Sequence, residues 1–305
     1  ALTGEGKYKE ALEVILEKNA LPFITGTLCA HNCMTKCTRN FYEESVNIRG
    51  TKLTAAEHGY GQLIDEIKAG KSNGKKVAVV GGGPAGIAAA YFLAREGAAV
   101  TIFEKEEKAG GVIRYVIPGF RIGDAAIDKD ISFIQKMGVE IRTNTEITSV
   151  ADLKAQGYEA VILAIGAGKP GTLKLEKGET VNALKFLRDF KANDGKLNVG
   201  RNVVVIGGGN TAMDACRTAI RLGAQNVYCV YRRTKAEMPA EDIEIKEAEE
   251  EGVIFKYLTN PVEIVADENG GIKHVKLQKM ELGEPDASGR RKPVHIEGAI
   301  EELDV

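Results

Sequence analysis

The sequence predicts an α/β protein, with two Rossmann-like dinucleotide-binding domains preceded by a helical cysteine-containing region, and three observations carry that reading. A β-branched run breaks at glycines and passes into a helix-forming run at Val77-Ala-Val-Val-Gly81-Gly-Gly83-Pro84-Ala85-Gly86. The same pattern returns at Val203-Val-Val-Ile-Gly207-Gly-Gly209-Asn210-Thr211-Ala212. Both supply the strand, tight turn and helix that a G-x-G-x-x-G/A fingerprint requires. Ahead of them, Cys29, Cys33 and Cys37 form a cluster. The expected boundaries are 1–74 for the cysteine region, 75–175 for the first nucleotide domain and 176–305 for the second.

Taken in order, residues 5–19 have a helical period, with Leu12, Ile15 and Leu16 on one side. Pro22 and the cysteine loop interrupt it, and 54–69 resumes as a helix. Residues 70–76, rich in Gly, Ser, Asn and Lys, read as a linker. After the first fingerprint come a Gly110-Gly111 loop running to Arg121, an amphipathic helix at 125–137 and a strand at 139–142. The apolar run 160–166 reads as a buried strand ending at Gly166. A helix at 181–190 precedes the second fingerprint. The acidic run 241–251 is most simply a solvated helix face. Residues 272–275 and 294–296, around a Gly/Pro/Arg turn, read as a hairpin.

In the first fingerprint Gly81 permits the turn out of the strand, Gly83 lets the backbone approach a pyrophosphate, and Gly86 lets the helix pack on the sheet. The free amides and dipole at the helix start favour an anion. The next strand ends on Glu104, close to the roughly 20-residue spacing at which an acidic side chain meets a ribose 2′-hydroxyl. A free 2′-hydroxyl means FAD or NAD. The plain alternative is a glycine-rich turn followed by a solvated Glu.

The second copy differs at the equivalent point. After Val227-Tyr-Cys-Val-Tyr231 stand Arg232 and Arg233. A carboxylate would repel a 2′-phosphate, whereas a guanidinium grips it with charge-assisted hydrogen bonds. This copy therefore reads as an NADPH site, the alternative being two arginines on a solvated turn.

Composition narrows the class further. A length of 305 residues suggests roughly two domains, and a hydrophobic share of 44% suffices for real cores. A net charge of −2 supplies no basic field for nucleic acid. Residues 77–94 carry no charge and approach the length of a membrane span, but their glycines and Pro84 spoil such a helix. No secretory signal pattern opens the chain, so a cytoplasmic protein is expected. Cys216 and Cys229 fall in the second copy's helix and strand, where small buried thiols are ordinary. The spacing of Cys29, Cys33 and Cys37 places three thiols on one side of a helix or around a tight loop, as soft-metal ligands. Iron–sulfur and zinc sites both favour four ligands; His31 is a candidate fourth, or a residue outside the set.

The order of cysteine loop, Gly81-x-Gly83-x-x-Gly86, Glu104, Gly-Gly-x-x-Arg-Tyr-x-Ile-Pro118, Ala164-Ile-Gly166, Gly207-x-Gly209-Asn-Thr-Ala212 and Tyr-Arg232-Arg233 resembles the glutamate synthase small-subunit family over essentially the whole chain. Within it, Cys-x-His-x-Cys-x-x-x-Cys-Thr-Arg, followed by Tyr42-Glu-Glu and Asn47-Ile-Arg49, is most similar to the branch of selenate reductase flavoprotein subunits. The resemblance implies a helical iron–sulfur region, an FAD domain and an NADPH domain inserted in it. It implies hydride transfer from NADPH to FAD, with electrons leaving singly through [4Fe–4S] clusters to a larger partner subunit or domain. Lys105, Gly111, Arg121, Ala164 and Gly166 would then belong to the flavin side. Gly209, Asn210, Thr211 and the two arginines would hold NADPH, and Cys29, Cys33 and Cys37 would supply cluster thiolates.

The family pattern also implies an internal fragment. Its upstream cysteine group would fall before Ala1, its Gln ligand falls near Lys52, and its C-terminal Gly-Asp segment would lie beyond Val305. The expected reaction assigns no catalytic acid or base, because hydride transfer belongs to the cofactors. Two other classes share the fingerprints. A flavin disulfide reductase or monooxygenase is one, although a reductase needs a cysteine pair beside the flavin and none stands between Gly74 and Cys216. A nucleotide-binding scaffold without turnover is the other.

Overall fold

The N-terminal segment folds into helices α1 (Tyr8–Leu16), α2 (Pro22–Leu28), α3 (Asn32–Thr35) and α4 (Ile48–Leu63), with a 3-10 turn at Thr38–Phe41. These come from a computed structural model that describes residues 1–305 apart from 169, 170, 172, 270, 286 and 288. α1 is shorter than expected because the chain before it turns through Gly6, φ +75°. Pro22 opens α2 rather than breaking a helix, since a first helical position needs no amide hydrogen. α4 starts earlier than 54 because the Asn47 side chain caps it, accepting from the Gly50 amide at 2.9 Å.

The next elements are β1 (Lys76–Val80), α5 (Pro84–Arg95), β2 (Ala99–Phe103), α6 (Val112–Tyr115), α7 (Asp124–Lys136), β3 (Glu140–Arg142), α8 (Val150–Ala155) and β4 (Ala160–Leu163). Their strands form one parallel sheet in the order β3-β2-β1-β4. Val79, Ile87 and Ile102 share a single core with Leu12, Phe23 and Ala56, so the N-terminal helices pack on this sheet's helices. The 70–76 stretch is tied down rather than loose. Gly70 donates to the Ala94 carbonyl at 2.9 Å and Asn73 to the Gly97 carbonyl at 3.0 Å. β4 corrects another expectation: it is an edge strand, with Leu163 61% exposed.

Asp130 joins the helices to the sheet layer. Fully buried on α7, it accepts the amides of Phe23 at 3.1 Å and Ile24 at 2.8 Å, at the start of α2. Burial pushes its carboxyl up to about 7, against the opposing pull of the Ile24 and Phe23 amides. A carboxyl raised on folding favours the fold below its unfolded value near 3.8, and that contribution is lost as pH rises through about 7. Relative to Asp130→Asn, the parent protein should therefore lose about 2 kcal/mol of stability between roughly pH 5.5 and 8. Urea unfolding at both pH values measures this, and parallel pH profiles for the two proteins would refute it.

The elements so far belong to one compact unit, Ala1–Gly168, and Lys169–Val305 forms a second. It contains α9 (Ala183–Ala192), β5 (Asn202–Ile206), α10 (Asn210–Arg221), β6 (Asn226–Tyr231), a 3-10 turn at Lys235–Glu237, α11 (Asp242–Glu250), β7 (Ile254–Tyr257), β8 (Thr259–Ala266), β9 (Ile272–Pro285) and β10 (Arg291–Asp304). β5-β6-β7 are parallel, and β10-β9-β8 are antiparallel. The expected hairpin is real but far longer, each of its strands spanning 14 residues. Asp286 and Ser288 of its turn lie outside the described residues. The acidic run is α11, but it is no simple solvated face. Glu244 is buried and, with Glu247 and Glu251, surrounds Arg217 of α10. Cys216 and Cys229 are both fully buried in this unit's core. No helix among the described residues is long and apolar enough to cross a membrane.

Candidate nucleotide and cysteine sites

In the first unit the carboxyl ends of β1, β2 and β4 meet, the position at which open α/β sheets bind ligands. Gly81 leaves β1 at φ +106°, and a Cβ there would lie 2.3 Å from the Ala164 carbonyl oxygen. That closeness ties the Ala164 to Gly166 segment to the turn. Gly83 is the N-cap of α5, and no side chain caps this helix. Its first-turn amides are therefore open to an anion, with Pro84 fitting the first turn. Ala85 follows it, and Gly86 packs so closely on the turn that a Cβ would reach 1.9 Å from the Gly81 oxygen.

Glu104, just past β2, is buried, and its two oxygens accept the Gly82 amide at 2.6 Å and the Glu106 amide at 2.9 Å. It thus holds the glycine turn, while each oxygen keeps a second lone pair able to accept a further hydrogen bond. Lys105 is exposed beside it, and Arg121 is half-buried. Gly111, at φ +55°, comes so near Gly83 that a Cβ would lie 2.8 Å from its Cα. An uncapped helix start and a glycine-lined crevice fit the adenosine and pyrophosphate end of FAD.

The second unit repeats the arrangement with changed chemistry. Gly207 leaves β5 at φ +141°, and Gly209 begins α10 without a side-chain cap. Ala212 takes the place of Gly86: a Cβ on Gly207 would sit 3.5 Å from the Ala212 Cβ, so this turn has room for the methyl. Asn210 accepts the Glu241 amide at 3.0 Å, and Thr211 follows in the first turn of α10. Beneath them the Cys229 thiol donates to the Gly207 carbonyl at 3.3 Å. Cys216 lies against Cys229, and that contact together with burial pushes its thiol well up, as for an inert core thiol.

The two arginines separate. Arg232 is exposed, whereas Arg233 is only 4% exposed and donates Nε to the Arg291 carbonyl at 2.7 Å. Consecutive residues leaving a strand face opposite ways. The following turn is stiffened by a capping box between Thr234 and Glu237. Arg232 is thus an exposed guanidinium at this strand end, and Arg233 anchors the turn to β10.

The three N-terminal thiols lie around a loop. Cys29 ends α2, Cys33 is exposed on α3, and Cys37 precedes the 3-10 turn. His31 sits in the left-handed region, φ 40°, where its amide donates to the Cys29 sulfur at 3.4 Å. The Val46 and Arg39 amides hold the Cys37 thiol below its ordinary value. Sulfurs supplied with amide donors suit an iron–sulfur group. Among the described residues, however, no three His, Cys, Asp or Glu side chains are gathered into a metal-holding group.

Comparison with known proteins agrees with this layout. The pyridine nucleotide-disulphide oxidoreductase model matches residues 75–287, and that of dihydropyrimidine dehydrogenase domain II, 4Fe-4S cluster, matches residues 1–61. The chain is 38% identical to the NADP(+)-dependent formate dehydrogenase subunit beta of Moorella thermoacetica, over 96% of this chain and 46% of that one. It is 35% identical to the glutamate synthase [NADPH] small chain of Escherichia coli (strain K12), over 98% and 67%. The chain spans less than half the length of the first curated relatives it matches. Its fold is similar to that of FprA from Mycobacterium tuberculosis, with a TM-score of 0.61 and 20% identity over 75% of this chain and 69% of that one.

Proposed function

Because the chain belongs to the pyridine nucleotide-disulphide oxidoreductase family, in its glutamate synthase small-chain branch, we propose that it is the electron-input module of an NADPH-dependent oxidoreductase. In this reading residues 75–175 hold FAD, residues 176–305 hold NADPH, and the cysteine region within 1–74 belongs to a [4Fe–4S] group. A larger partner subunit or domain takes the electrons onward in the cytoplasm.

One contrast supports the reading most strongly: at matching strand ends, the first unit places the carboxylate of Glu104 and the second the exposed guanidinium of Arg232. The former suits a ribose diol and rejects a phosphate, and the latter does the reverse. FAD, when bound, supplies the acceptor for a nicotinamide hydride. The chain's own share is binding: two uncapped helix starts for two pyrophosphates and two chemically opposite ribose selectors.

Removing one charge-assisted contact costs ~1.5 to 3 kcal/mol, so Arg232→Ala should weaken NADPH by roughly ten- to a hundredfold while NADH barely changes. Arg233→Ala should instead weaken both nucleotides alike, because it releases the turn from β10. Titration of both nucleotides against both variants tests this. Equal losses for NADPH and NADH in Arg232→Ala would remove the 2′-phosphate assignment.

A further inference from the structure

Asp130 has a role that nucleotide binding does not call for. It stands on α7, packed against the flavin-side sheet, yet each of its carboxylate oxygens accepts an amide of α2. The helix needs that carboxylate, because its N-cap residue, Leu21, has no capping side chain and its first-turn amides are buried. The other end of α2 is held as well. It leads directly into Cys29, whose carbonyl accepts Arg49 Nη1 at 3.1 Å and whose sulfur accepts the His31 amide. The Asp130 oxygens satisfy amides at the N-terminus, and the Arg49 guanidinium at the C-terminus complements the helix dipole.

Between these ends α2 packs on α4, with Gly26 so close that a Cβ would come 3.0 Å from the Leu53 Cβ. The helix is therefore a short rod clamped at both ends, and the regular rise of a helix fixes Cys29 relative to Asp130. Full burial of a carboxyl group is costly, and in some proteins a buried polar group sets register.

We propose that Asp130 is a positioning residue: by capping α2 from α7 it sets where Cys29 is presented to the iron–sulfur group, and so joins that ligand to the flavin-side sheet. This rests on the reading of the cysteine loop given under the proposed function. Asp130 touches no reacting atom in this scheme; its effect runs through α2.

The test compares full-length protein with Asp130→Asn, which keeps the size but offers one acceptor for two amides, and with Asp130→Glu, which keeps both acceptors on a longer arm. In Asp130→Asn, hydrogen exchange of the 23–28 amides should be at least about tenfold faster, flavin content should stay at the wild-type level, and the electron paramagnetic resonance signal of the dithionite-reduced cluster should shift or broaden. Asp130→Glu should keep the amides protected and show a smaller shift of that signal. A wild-type cluster signal in both variants overturns the positioning role, as does joint loss of flavin and cluster, which would mean general structural damage. If wild-type protein itself shows no cluster signal, the cysteine reading falls first and takes the proposal with it, a result distinguishable because the wild type is the control.

Discussion

Gly86→Ala should abolish flavin binding by breaking the turn, whereas Gly83→Ala should leave the unit folded and lose the flavin by blocking the crevice. At Gly86 the added methyl would sit 1.9 Å from the Gly81 carbonyl oxygen. That carbonyl cannot retreat cheaply, because Gly81 is itself wedged against the backbone of Ala164. Overpacking between two rigid backbones should cost about 3 kcal/mol or more. At Gly83 a methyl meets only the Gly111 Cα at 3.8 Å, and φ there is −76°, an ordinary alanine conformation. The folding cost should stay below about 1 kcal/mol, while the methyl occupies the space through which a pyrophosphate approaches the α5 amides. FAD affinity should then fall at least about tenfold. Thermal unfolding read beside FAD titration separates the two effects. A Gly86→Ala protein melting like wild type, or a Gly83→Ala protein binding FAD like wild type, would contradict this account of the turn.

The glycine positions were legible in the sequence because their constraint is local: a strand must turn within three residues and begin a helix. Ala212 was legible as a permitted variation for the same reason. What was hidden depends on partners distant in the chain. Asp130 and Arg217 each occupy a helix whose polar period reads as a solvated face, and only packing against α2 or α11 makes them buried. The arginine pair was half legible. Its chemistry pointed to a phosphate, but adjacent residues diverge at a strand end, and the sequence alone does not say that Arg232 is exposed and Arg233 buried. The apolar run of β4 misled in another way: period and composition do not distinguish a central strand from an edge strand, and sheet order decides it. The cysteine spacing pointed to ligands, yet the folded loop distributes the thiols over α2, α3 and the following turn.

Arg217→Met should destabilise the Lys169–Val305 unit by about 3 to 5 kcal/mol, the cost expected when one member of a buried ion network is removed. Arg217 donates Nη1 to Glu247 at 2.6 Å, Nε to Glu251 at 2.9 Å, and lies 3.4 Å from Glu244. Glu244 is nearly as buried as Arg217 and would be left without this cation. Burial works to raise the Glu251 carboxyl, but the guanidiniums of Arg221 and Arg217 outweigh it and hold the group below its ordinary value of 4.5. A depressed carboxyl stabilises the fold above its unfolded value and loses that contribution as pH falls through the folded one. The network's advantage should therefore disappear only below about pH 4.5. Because α10 carries both Arg217 and the glycine turn at Gly209, the variant should also weaken NADPH and NADH together, unlike Arg232→Ala. Adding Glu244→Leu should recover part of the loss, since an apolar pair replaces a stranded charge. Urea unfolding of the single and double variants at neutral pH and at about pH 4 measures the stability expectations, and titration of NADPH and NADH measures the nucleotide one. Stability of Arg217→Met within ~0.5 kcal/mol of wild type would show that α11 screens its carboxylates without the arginine.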